Sequence, residues 1–405
     1  MKKDGKWFLT FFLPKLPMFF LLMPLVALLR CLRPVCWIRF FPIIERIGHA
    51  AGDLDTYILE RKRGLNQAKA IDIFFPSHLT AVNKQIVKLW SRVVPVSTMA
   101  HWLSWANMEI PGGGAHYYQG RPNQSRDIFL LTDQGPAQVA FTPREEERGE
   151  SLLRSMGIPQ NAKIVCIHGR DNAYLETLYK EKDWTYHQYR NFSIGSLGLT
   201  AEALVARGYY VVRMGRIVKE KFPFVHTHVI DYANSDFRND FADIYLISKC
   251  YFFVGQSGIE SVARLFRKPV VYINFVPITH LHTWSESFLS IFKLLWDRKE
   301  KRFLTFREML KYDIHNLENG EFGDRALELR ENSPEDIRGA VMEMEGRLRG
   351  RGEMKEYQEG LQDQFWQNYP LVAGLHGTNK SRIGTLFLEK YKDLLQMTGE
   401  ISNRL

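Results

Sequence analysis

The chain has 405 residues, of which 45% are hydrophobic and 24% are charged, and it carries a net charge of +9. This composition is typical of a globular protein and excludes a largely disordered chain, and the length allows two domains with sizeable cores. The basic excess favours an anionic partner such as acidic lipid or a phosphate-bearing ligand, whereas no nucleic-acid-binding motif is present, so we expect no nucleic-acid partner. The four cysteines lack metal-site spacing and indicate reduced thiols in a cytoplasmic compartment.

The N-terminal segment, residues 1–37, is the most hydrophobic part of the chain. Its longest apolar run, Leu16 to Leu29, has 14 residues, fewer than the roughly 20 that a helix needs to cross a bilayer. Basic residues lie on both sides of this run, and no small-residue cleavage site follows it. We expect a monotopic or re-entrant anchor in the cytoplasmic leaflet; a single spanning helix and a hairpin docked on the core remain open.

The elements that follow alternate between strand and helix. Residues 38–160 begin with a predicted strand at 38–44, a helix that ends near Gly64, a second strand at 70–77 and a mostly helical stretch. From Lys163 onward the alternation is regular, with predicted strands at 163–168, 208–215, 228–231, 251–255 and 269–274 and predicted helices at 199–207, 239–249 and 258–266.

Such alternation with short connections predicts a parallel sheet that is covered by helices on both faces. The sequence thus predicts an α/β protein with two Rossmann-like domains, residues 38–160 and 161–330, that face a cleft. Residues 331–405 are predicted to form a charged helical tail, without sheet, that packs back towards the first domain.

Polar side chains follow two neighbouring strands of the second domain, where parallel sheets bind their ligands. His168, Arg170 and Asp171 lie at the end of the first of these strands, after Ile167, and Arg170 could bind a diphosphate through two parallel hydrogen bonds. Arg213 and Arg216 follow the next strand and would add positive charge to the same edge. The alternatives are an exposed ion pair at the first position and a merely basic surface at the second.

A small-residue turn follows the strand at 251–255. Gly255 and Gly258 allow a ligand to approach the backbone, and Ser257 could cap the next helix or donate its hydroxyl. The free N–H groups of that helix favour a phosphate, and Glu260 could receive a pair of ribose hydroxyls. The alternative is an ordinary capped helix whose dipole Glu260 balances.

Candidate catalytic residues occur in the first half of the chain. His49 and Asp53 follow the first strand, and either could take the proton of an attacking hydroxyl, although Asp53 could instead cap a helix that starts at Leu54. The aromatic-rich stretch 182–193 could line a sugar site. The sequence His280-x-His282 lacks a third ligand in register, so we expect no metal site.

Several longer motifs carry a resemblance to a known family. CIHGRDNAYL, DWTYHQYRNFSI, GYYVVRMGR, DYANSDFRNDFADIYLISKCYFFVGQSGIESV and RKPVVYIN occur in that order. Together, over residues 38–277, they resemble a group of bacterial glycosyltransferases associated with surface-polysaccharide gene clusters. More distantly, the His-x-Arg at a strand end is similar to fucosyltransferase-like folds of the GT-B class.

The resemblance implies the two-domain GT-B architecture and a metal-independent reaction that uses no cofactor beyond the nucleotide-sugar substrate. Arg170 would match the arginine that grips the donor diphosphate, with His168 beside it. Ser257, Gly258 and Glu260 would match the nucleotide loop. Asp171 directly follows Arg170, which departs from the fucosyltransferase pattern and puts GDP-fucose in doubt as the donor.

The sequence therefore predicts a hexosyl- or deoxyhexosyl-transferase that moves a sugar from a nucleotide-sugar donor to a lipid-linked or glycan acceptor. The predicted location is the cytoplasmic face of the inner membrane, where surface polysaccharide would be built. Two alternatives remain: a nucleotide-sugar epimerase of related shape, which would need no anchor, and a non-catalytic scaffold of a glycan assembly complex.

Overall fold

The computed structural model divides the chain into two compact units, Met1–Gln124 (unit 1) and Ser125–Leu405 (unit 2). The described residues are 13–65, 69–78, 83–120, 125–178, 180, 185–256, 258–312, 326–351 and 355–395. This boundary lies earlier in the chain than the predicted one at 160/161, and the tail from residue 331 belongs to unit 2.

Helix packing explains why residues 125–160 belong to unit 2. The helix Pro143–Ser155 crosses the helix Asp240–Lys249 at Gly149, where a methyl group would lie 1.9 Å from the ring of Tyr245. Only a glycine allows this approach. Just before the first of these helices, the ring of Phe141 also contacts that of Tyr245, at 5.2 Å between centroids. Residues 141–155 are thereby packed onto unit 2.

Unit 1 contains a two-stranded parallel sheet with helices on it. In chain order its helices and strands are α1 (Leu16–Leu32), β1 (Trp37–Ile43), α2 (Ile47–Lys62), β2 (Ala70–Pro76), α3 (Lys84–Trp90) and α4 (Thr98–Met108). The strands predicted at 38–44 and 70–77 are confirmed. Within the described part of unit 1, however, the sheet has only these two strands. A Rossmann-like domain, which the sequence predicted, has more strands than this.

A buried polar network joins the two strands of unit 1. Arg39 and Asp72 are opposite each other in the ladder, and the Arg39 Nε donates to Asp72 Oδ1 at 2.8 Å. Tyr57, on α2, accepts from the Arg39 guanidinium at 2.7 Å and donates to Asp72. A buried charge is tolerated only when it is paired in this way, so the network fixes α2 on the sheet.

Helix α1 is the apolar N-terminal helix that the sequence predicted. Together with the short 3-10 turn before it, it forms a helix from Leu13 to Leu32. By length and composition this helix could cross a membrane, with a mean hydropathy of 1.8, but only 17% of it is buried in the structure.

Unit 2 is built on a seven-stranded sheet in which all neighbouring strands are parallel. Its strands are β3 (Ile164–Ile167), β4 (Tyr210–Arg213), β5 (Val229–Ile230), β6 (Phe252–Gly255), β7 (Val270–Phe275), β8 (Phe288–Phe292) and β12 (Arg382–Ile383). The spatial order is β5-β4-β3-β6-β7-β8-β12. The predicted parallel α/β architecture is confirmed, and the strand order reverses between β3 and β6.

Ten helices accompany the strands in the described part of unit 2. They are α5 (Pro143–Ser155), α6 (Ala173–Leu178), α7 (Gly198–Val205), α8 (Asp240–Lys249), α9 (Glu260–Leu265), α10 (Phe306–Met309), α11 (Pro334–Leu348), α12 (Glu356–Asn368), α13 (Ala373–His376) and α14 (Thr385–Lys390). A small antiparallel sheet of β9 (Leu294–Asp297), β10 (Arg302–Phe303) and β11 (Leu327–Arg330) was not predicted.

The tail is an integral part of unit 2. β12 adds a strand to the main sheet beside β8, which corrects the prediction of a tail without sheet. Phe292, which is fully buried at the end of β8, contacts the rings of Phe365 and Phe387 at 5.8 and 5.0 Å between centroids. Burial of these three aromatic side chains stabilises the packing of the tail on the sheet.

Candidate functional site

The reversal of strand order in unit 2 defines where a ligand can bind. In open parallel sheets, ligands bind beyond the carboxyl ends of the two strands at which the strand order reverses. In unit 2 these two strands are β3 and β6, which are neighbours in the sheet. His168 and Arg170 follow β3, and Gly255 ends β6. The structure therefore brings the two stretches that the sequence singled out to one place in the fold.

Close backbone contact holds these two strand ends together. The His168 N–H donates to the Val254 carbonyl at 2.9 Å. A methyl group at Gly255 would lie 2.8 Å from the carbonyl oxygen of His168, and Gly255 has a φ of +152°. A side chain at this position would both strain the backbone and push β3 away from β6.

The positive charge of Arg170 acts on the pKa values of two neighbouring groups, His168 and Glu260. Burial, followed by the positive charges of Arg213 and Arg170, lowers the pKa of His168 to about 3, so this imidazole is neutral at pH 7. Burial raises the pKa of Glu260, whose carboxyl is 4% exposed, and the charges of Arg264 and Arg170 oppose that rise. Glu260 Oε2 is buried without a hydrogen-bond partner in the described structure.

A cavity of about 790 Å³ lies beyond the carboxyl end of β3. Its walls come from the residues after β3, from 188–189 and 191–194, from the segment after β4, from single residues after β8 and β9, and from β11 and the residue Glu331 that follows it. Its ionisable side chains are Arg170, Asp171, Glu176, Lys219, Glu220, Lys293, Arg298, Glu328 and Glu331. The cavity thus presents both hydrogen-bond donors and acceptors to a ligand.

Lys293 is a buried cation in the cavity wall that the sequence analysis did not identify. Its side chain is 5% exposed; the Nζ donates to the Asn191 carbonyl at 2.6 Å and lies 3.6 Å from Glu331 Oε1. Burial lowers the pKa of Lys293, and Glu331 partly restores it. A single lysine inside the apolar run Phe288–Leu295 was the available signal, but the strands on either side of it were not predicted.

Asp171 has a structural place at the cavity. One carboxylate oxygen accepts from the Ala173 N–H at 2.9 Å at the start of α6, and the other accepts from the Lys219 N–H at 2.8 Å. Asp171 therefore ties the loop after β3 to the loop after β4. These contacts fix the loop on which Arg170 lies.

Arg213 and Arg216 are not in the cavity wall. Arg213 has no exposed surface, and its guanidinium donates to Asp231 Oδ1 at 3.0 Å and to the Glu220 carbonyl at 3.0 Å. Arg213 therefore forms a structural ion pair with Asp231, whereas the sequence predicted that it would contact a ligand. Arg216 is half-buried. Burial raises the pKa of Asp243 to about 6, and the charge of Arg216 is one of the smaller effects that oppose this rise.

The turn after β6 is only partly described. Ser257 lies outside the described residues. Gly258, with a φ of +94°, has no atom within 4 Å of where a methyl group would be, so its backbone is open to an approaching group. Helix α9 begins at Glu260, two residues later than predicted, and Gln256 donates through Nε2 to the Arg190 carbonyl at 2.7 Å. Gln256 was missed although it lies within the turn.

His49 and Asp53 form a pair in unit 1. Both lie on α2, one helical turn apart, with 3.1 Å between His49 Nδ1 and Asp53 Oδ2. The hydrogen bond to Asp53 raises the pKa of His49, whose side chain is 45% exposed. Because α2 starts at Ile47, Asp53 is inside the helix and does not cap one. The pair presents a solvent-facing imidazole whose tautomer the carboxylate sets.

The described residues contain no cluster of three or more His, Cys, Asp or Glu side chains that could hold a metal ion. His282 packs instead against the rings of Tyr272 and Trp284, at 4.8 and 4.6 Å between centroids. Burial and the nearby charges of Arg264 and Arg126 lower its pKa well below the usual value. His282 is therefore a neutral histidine of the protein interior.

No family model and no curated protein matches the chain. Among solved structures it is similar to a glycosyl transferase family 9 protein from Veillonella parvula DSM 2008, with a TM-score of 0.44 and 9% identity over 76% of this chain and 98% of that one. It is also similar to the E. coli ADP-heptose LPS heptosyltransferase II, with a TM-score of 0.36 and 12% identity over 64% and 91% of the two chains.

A third similar structure is the dodecameric iron-containing heptosyltransferase TibC in complex with ADP-D-beta-D-heptose, with a TM-score of 0.31 and 17% identity over 58% and 57% of the two chains. All three similar structures are thus of glycosyltransferases. At such TM-scores the likeness does not by itself assign an activity, so the functional argument depends on the geometry of unit 2.

Proposed function

We propose that the chain is a glycosyltransferase and that unit 2 binds the nucleoside diphosphate of a nucleotide-sugar donor. The observation that carries the proposal is the position of Arg170, directly beyond β3 where the strand order reverses from β3 to β6. Doubly wound sheets bind nucleotides at this position, and a guanidinium there can hold a diphosphate through two hydrogen bonds.

The neighbouring groups fit the rest of such a donor. Gly258 leaves the backbone open for close approach, and the carboxylate of Glu260 can accept hydrogen bonds from ribose hydroxyls. The cavity of about 790 Å³ is large enough for a drug-sized ligand, for which pockets of roughly 300–1,000 Å³ are usual. Its mixture of carboxylate and cationic groups suits the many hydroxyls of a sugar.

In the proposed reaction the acceptor hydroxyl attacks the anomeric carbon of the donor. The bond from that carbon to the diphosphate breaks, and its electron pair leaves with the diphosphate, whose growing negative charge Arg170 stabilises. The proton of the attacking hydroxyl would go to a general base, and we assign this role to His49 or Asp53, which contact each other through Nδ1 and Oδ2 within unit 1. This direct displacement inverts the configuration at the anomeric carbon and requires no metal.

We further propose the roles of the two units, the sugar, the acceptor and the location of the enzyme. Unit 2 would be the donor domain and unit 1 the acceptor domain of a GT-B glycosyltransferase that transfers a hexose or deoxyhexose. The acceptor would be a lipid-linked or glycan intermediate of bacterial surface polysaccharide, and the enzyme would work at the cytoplasmic face of the inner membrane. The apolar surface of α1 supports an acceptor that resides in a bilayer.

Binding of nucleoside diphosphates to the full-length protein tests the donor site. UDP, GDP, CDP, dTDP or ADP at about 100 times its dissociation constant should stabilise the protein by roughly 2.7 kcal/mol and raise its melting temperature. In Arg170→Ala the affinity for that nucleotide should fall by at least tenfold, and in Arg170→Lys by less, because lysine keeps the charge but loses the two-pronged contact.

Arg154→Ala is the matched control, because the Arg154 side chain is 61% exposed on α5 and its contact is with Glu150 on the same helix. It should bind the nucleotide as the unmodified protein does. If none of the five nucleotides shifts the melting temperature, or if Arg154→Ala weakens binding as much as Arg170→Ala, the proposed donor site is wrong.

The catalytic assignment is tested by separating binding from turnover. His49→Ala should abolish sugar transfer yet leave nucleotide affinity unchanged, and Asp53→Asn should reduce the rate less. Conversion of a nucleotide-sugar to its epimer without any acceptor would favour the epimerase alternative instead. A His49→Ala enzyme that transfers sugar at the normal rate would remove His49 from the mechanism.

A further inference from the structure

The outer surface of α1 is apolar throughout. The residues of α1 that face solvent are Pro17, Met18, Phe20, Leu21, Pro24, Leu25, Ala27, Leu28, Cys31 and Leu32. We call this surface the α1 outer face. No charged side chain belongs to it. A surface helix of a water-soluble protein normally turns polar residues outward, so this face is built for an apolar environment.

The opposite face of α1 packs against unit 1. Leu22 and Val26 pack with Ala106 of α4, and Leu29 packs in a second cluster with Ala100 of α4. Contact between the two helices therefore extends along most of α1, so one side of this helix is covered by α4, whereas the described residues on its other side are exposed.

Arg30 fixes this contact at the end of α1. Its guanidinium donates to Asn107 Oδ1 at 2.9 Å, to the Asn107 carbonyl at 3.1 Å, to the Ile110 carbonyl at 3.2 Å and to the Pro111 carbonyl at 2.9 Å. Four hydrogen bonds from one cation, three of them to backbone carbonyls, attach α1 firmly to the loop after α4.

This attachment is incompatible with a helix that crosses a bilayer. If α1 spanned the membrane, α4 would have to enter the hydrocarbon beside it, with His101, Ser104 and the buried Asn107. Yet α4 also packs on β2 of the sheet.

The charges around α1 indicate which apolar environment covers the outer face. Lys15 lies exposed at one end of α1 and Arg33 at the other. No acidic residue occurs from residue 5 to residue 44, a range in which every charged side chain is basic. Cations at both ends of an apolar face match anionic headgroups beside acyl chains, whereas two copies of this surface would bring like charges together.

We infer that α1 lies in the plane of an anionic membrane, with its outer face in one leaflet and its inner face on unit 1. The protein is then a monotopic membrane protein, because only the outer face of α1 enters the bilayer. It does not span the bilayer, and its binding depends on apolar contacts as well as on charge. This inference builds on the proposed membrane location but is independent of the donor site, so Arg170→Ala should bind membranes normally.

Partition of the full-length protein onto vesicles tests the surface. With vesicles that contain phosphatidylglycerol, Leu21→Glu combined with Leu28→Glu should lower the partition coefficient at least tenfold, because both side chains are more than half exposed and contribute to the outer face. Val225→Glu is the matched control, since Val225 is 91% exposed in unit 2, and it should bind as the unmodified protein does.

Depth measurements separate an in-plane helix from a spanning one. Two variants carry one nitroxide each. In Cys36→Ser the label is attached to Cys31, and in Cys31→Ser/Cys36→Ser/Leu21→Cys it is attached at position 21. The other two thiols, Cys166 and Cys250, are buried and should not react. The two labels are about 15 Å apart along the helix axis. An in-plane helix places both at the same depth, within a few ångströms, as measured by paramagnetic broadening.

Two results would overturn the inference. Labels whose depths differ by about 15 Å would show a spanning helix. Failure of the unmodified protein to bind vesicles, together with a dimer that the two glutamate substitutions dissociate, would show that a second copy of the chain covers the face.

Discussion

Replacement of Gly255 by alanine probes the junction of β3 and β6 on which the proposed site depends. Two costs arise at this position. A φ of +152° is strained for a residue with a side chain, which costs about 1–3 kcal/mol. The methyl group would also lie 2.8 Å from the His168 carbonyl oxygen, and relief of such overpacking costs a further 1–3 kcal/mol, roughly.

We therefore expect Gly255→Ala to lower the free energy of unfolding by about 3 kcal/mol or more, which corresponds to a fall in melting temperature of about 6 to 12 °C. Because the strand ends must separate, nucleoside diphosphate affinity should fall as well. Thermal unfolding followed by circular dichroism, and nucleotide titration well below the melting temperature, measure the two effects.

Alanine substitutions at two other glycines separate the two costs of Gly255→Ala, the backbone strain and the steric contact with His168. Gly258 has a φ of +94° and open space around it, so Gly258→Ala should show the strain alone, about 1–2 kcal/mol. Gly198, at the start of α7, has neither a positive φ nor an atom within 4 Å, so Gly198→Ala should leave stability unchanged or raise it by up to about 1 kcal/mol. Equal losses in Gly255→Ala and Gly258→Ala would refute the role of the His168 contact.

Three further predictions concern stability. Arg213→Met should cost about 3 kcal/mol in urea denaturation, because it leaves Asp231 without its buried partner; an unchanged midpoint would contradict the structural role. Phe292→Ala should cost about 3–5 kcal/mol and expose the tail to proteolysis, whereas resistance equal to that of the unmodified protein would argue against the aromatic packing. Burial lowers the pKa of His376 to about 4, below its usual 6.5, so its contribution to stability is fully present above pH 6.5 and is lost as pH falls towards 4. His376→Gln should flatten the fall of unfolding free energy across that range, and an identical pH slope would show that His376 does not titrate there.

Much of unit 2 could be predicted because its parallel strands are buried on both faces and therefore appear as continuous apolar runs. β3, β4 and β6 each lie within a predicted strand, and β7 extends one residue beyond its prediction. His168, Arg170 and Gly255 were placed at strand ends from the sequence alone. β8 was missed although it is buried along its whole length. The strands β9 to β12 were missed because short or partly exposed strands carry no such run and depend on pairing with distant segments.

The tertiary structure decided the roles of side chains whose partners are distant in sequence. Arg213 looked like a ligand contact because it follows a strand, but Asp231 and the Glu220 carbonyl enclose its guanidinium. In the sequence, Lys293 lies within an apolar run, and no binding role was predicted for it. In the structure it lines the cavity, and its Nζ contacts the Asn191 carbonyl and Glu331.

The sequence by itself determined the alternation of strand and helix, the apolar character of α1 and the position of Arg170 just after a strand, since these depend on local periodicity and composition. Only the tertiary structure decided that β3 and β6 are neighbours and that one face of α1 packs on α4 while the described residues of its other face are exposed. Strand order and helix packing depend on contacts between segments far apart in the chain, and these contacts leave no local pattern in the residues that make them.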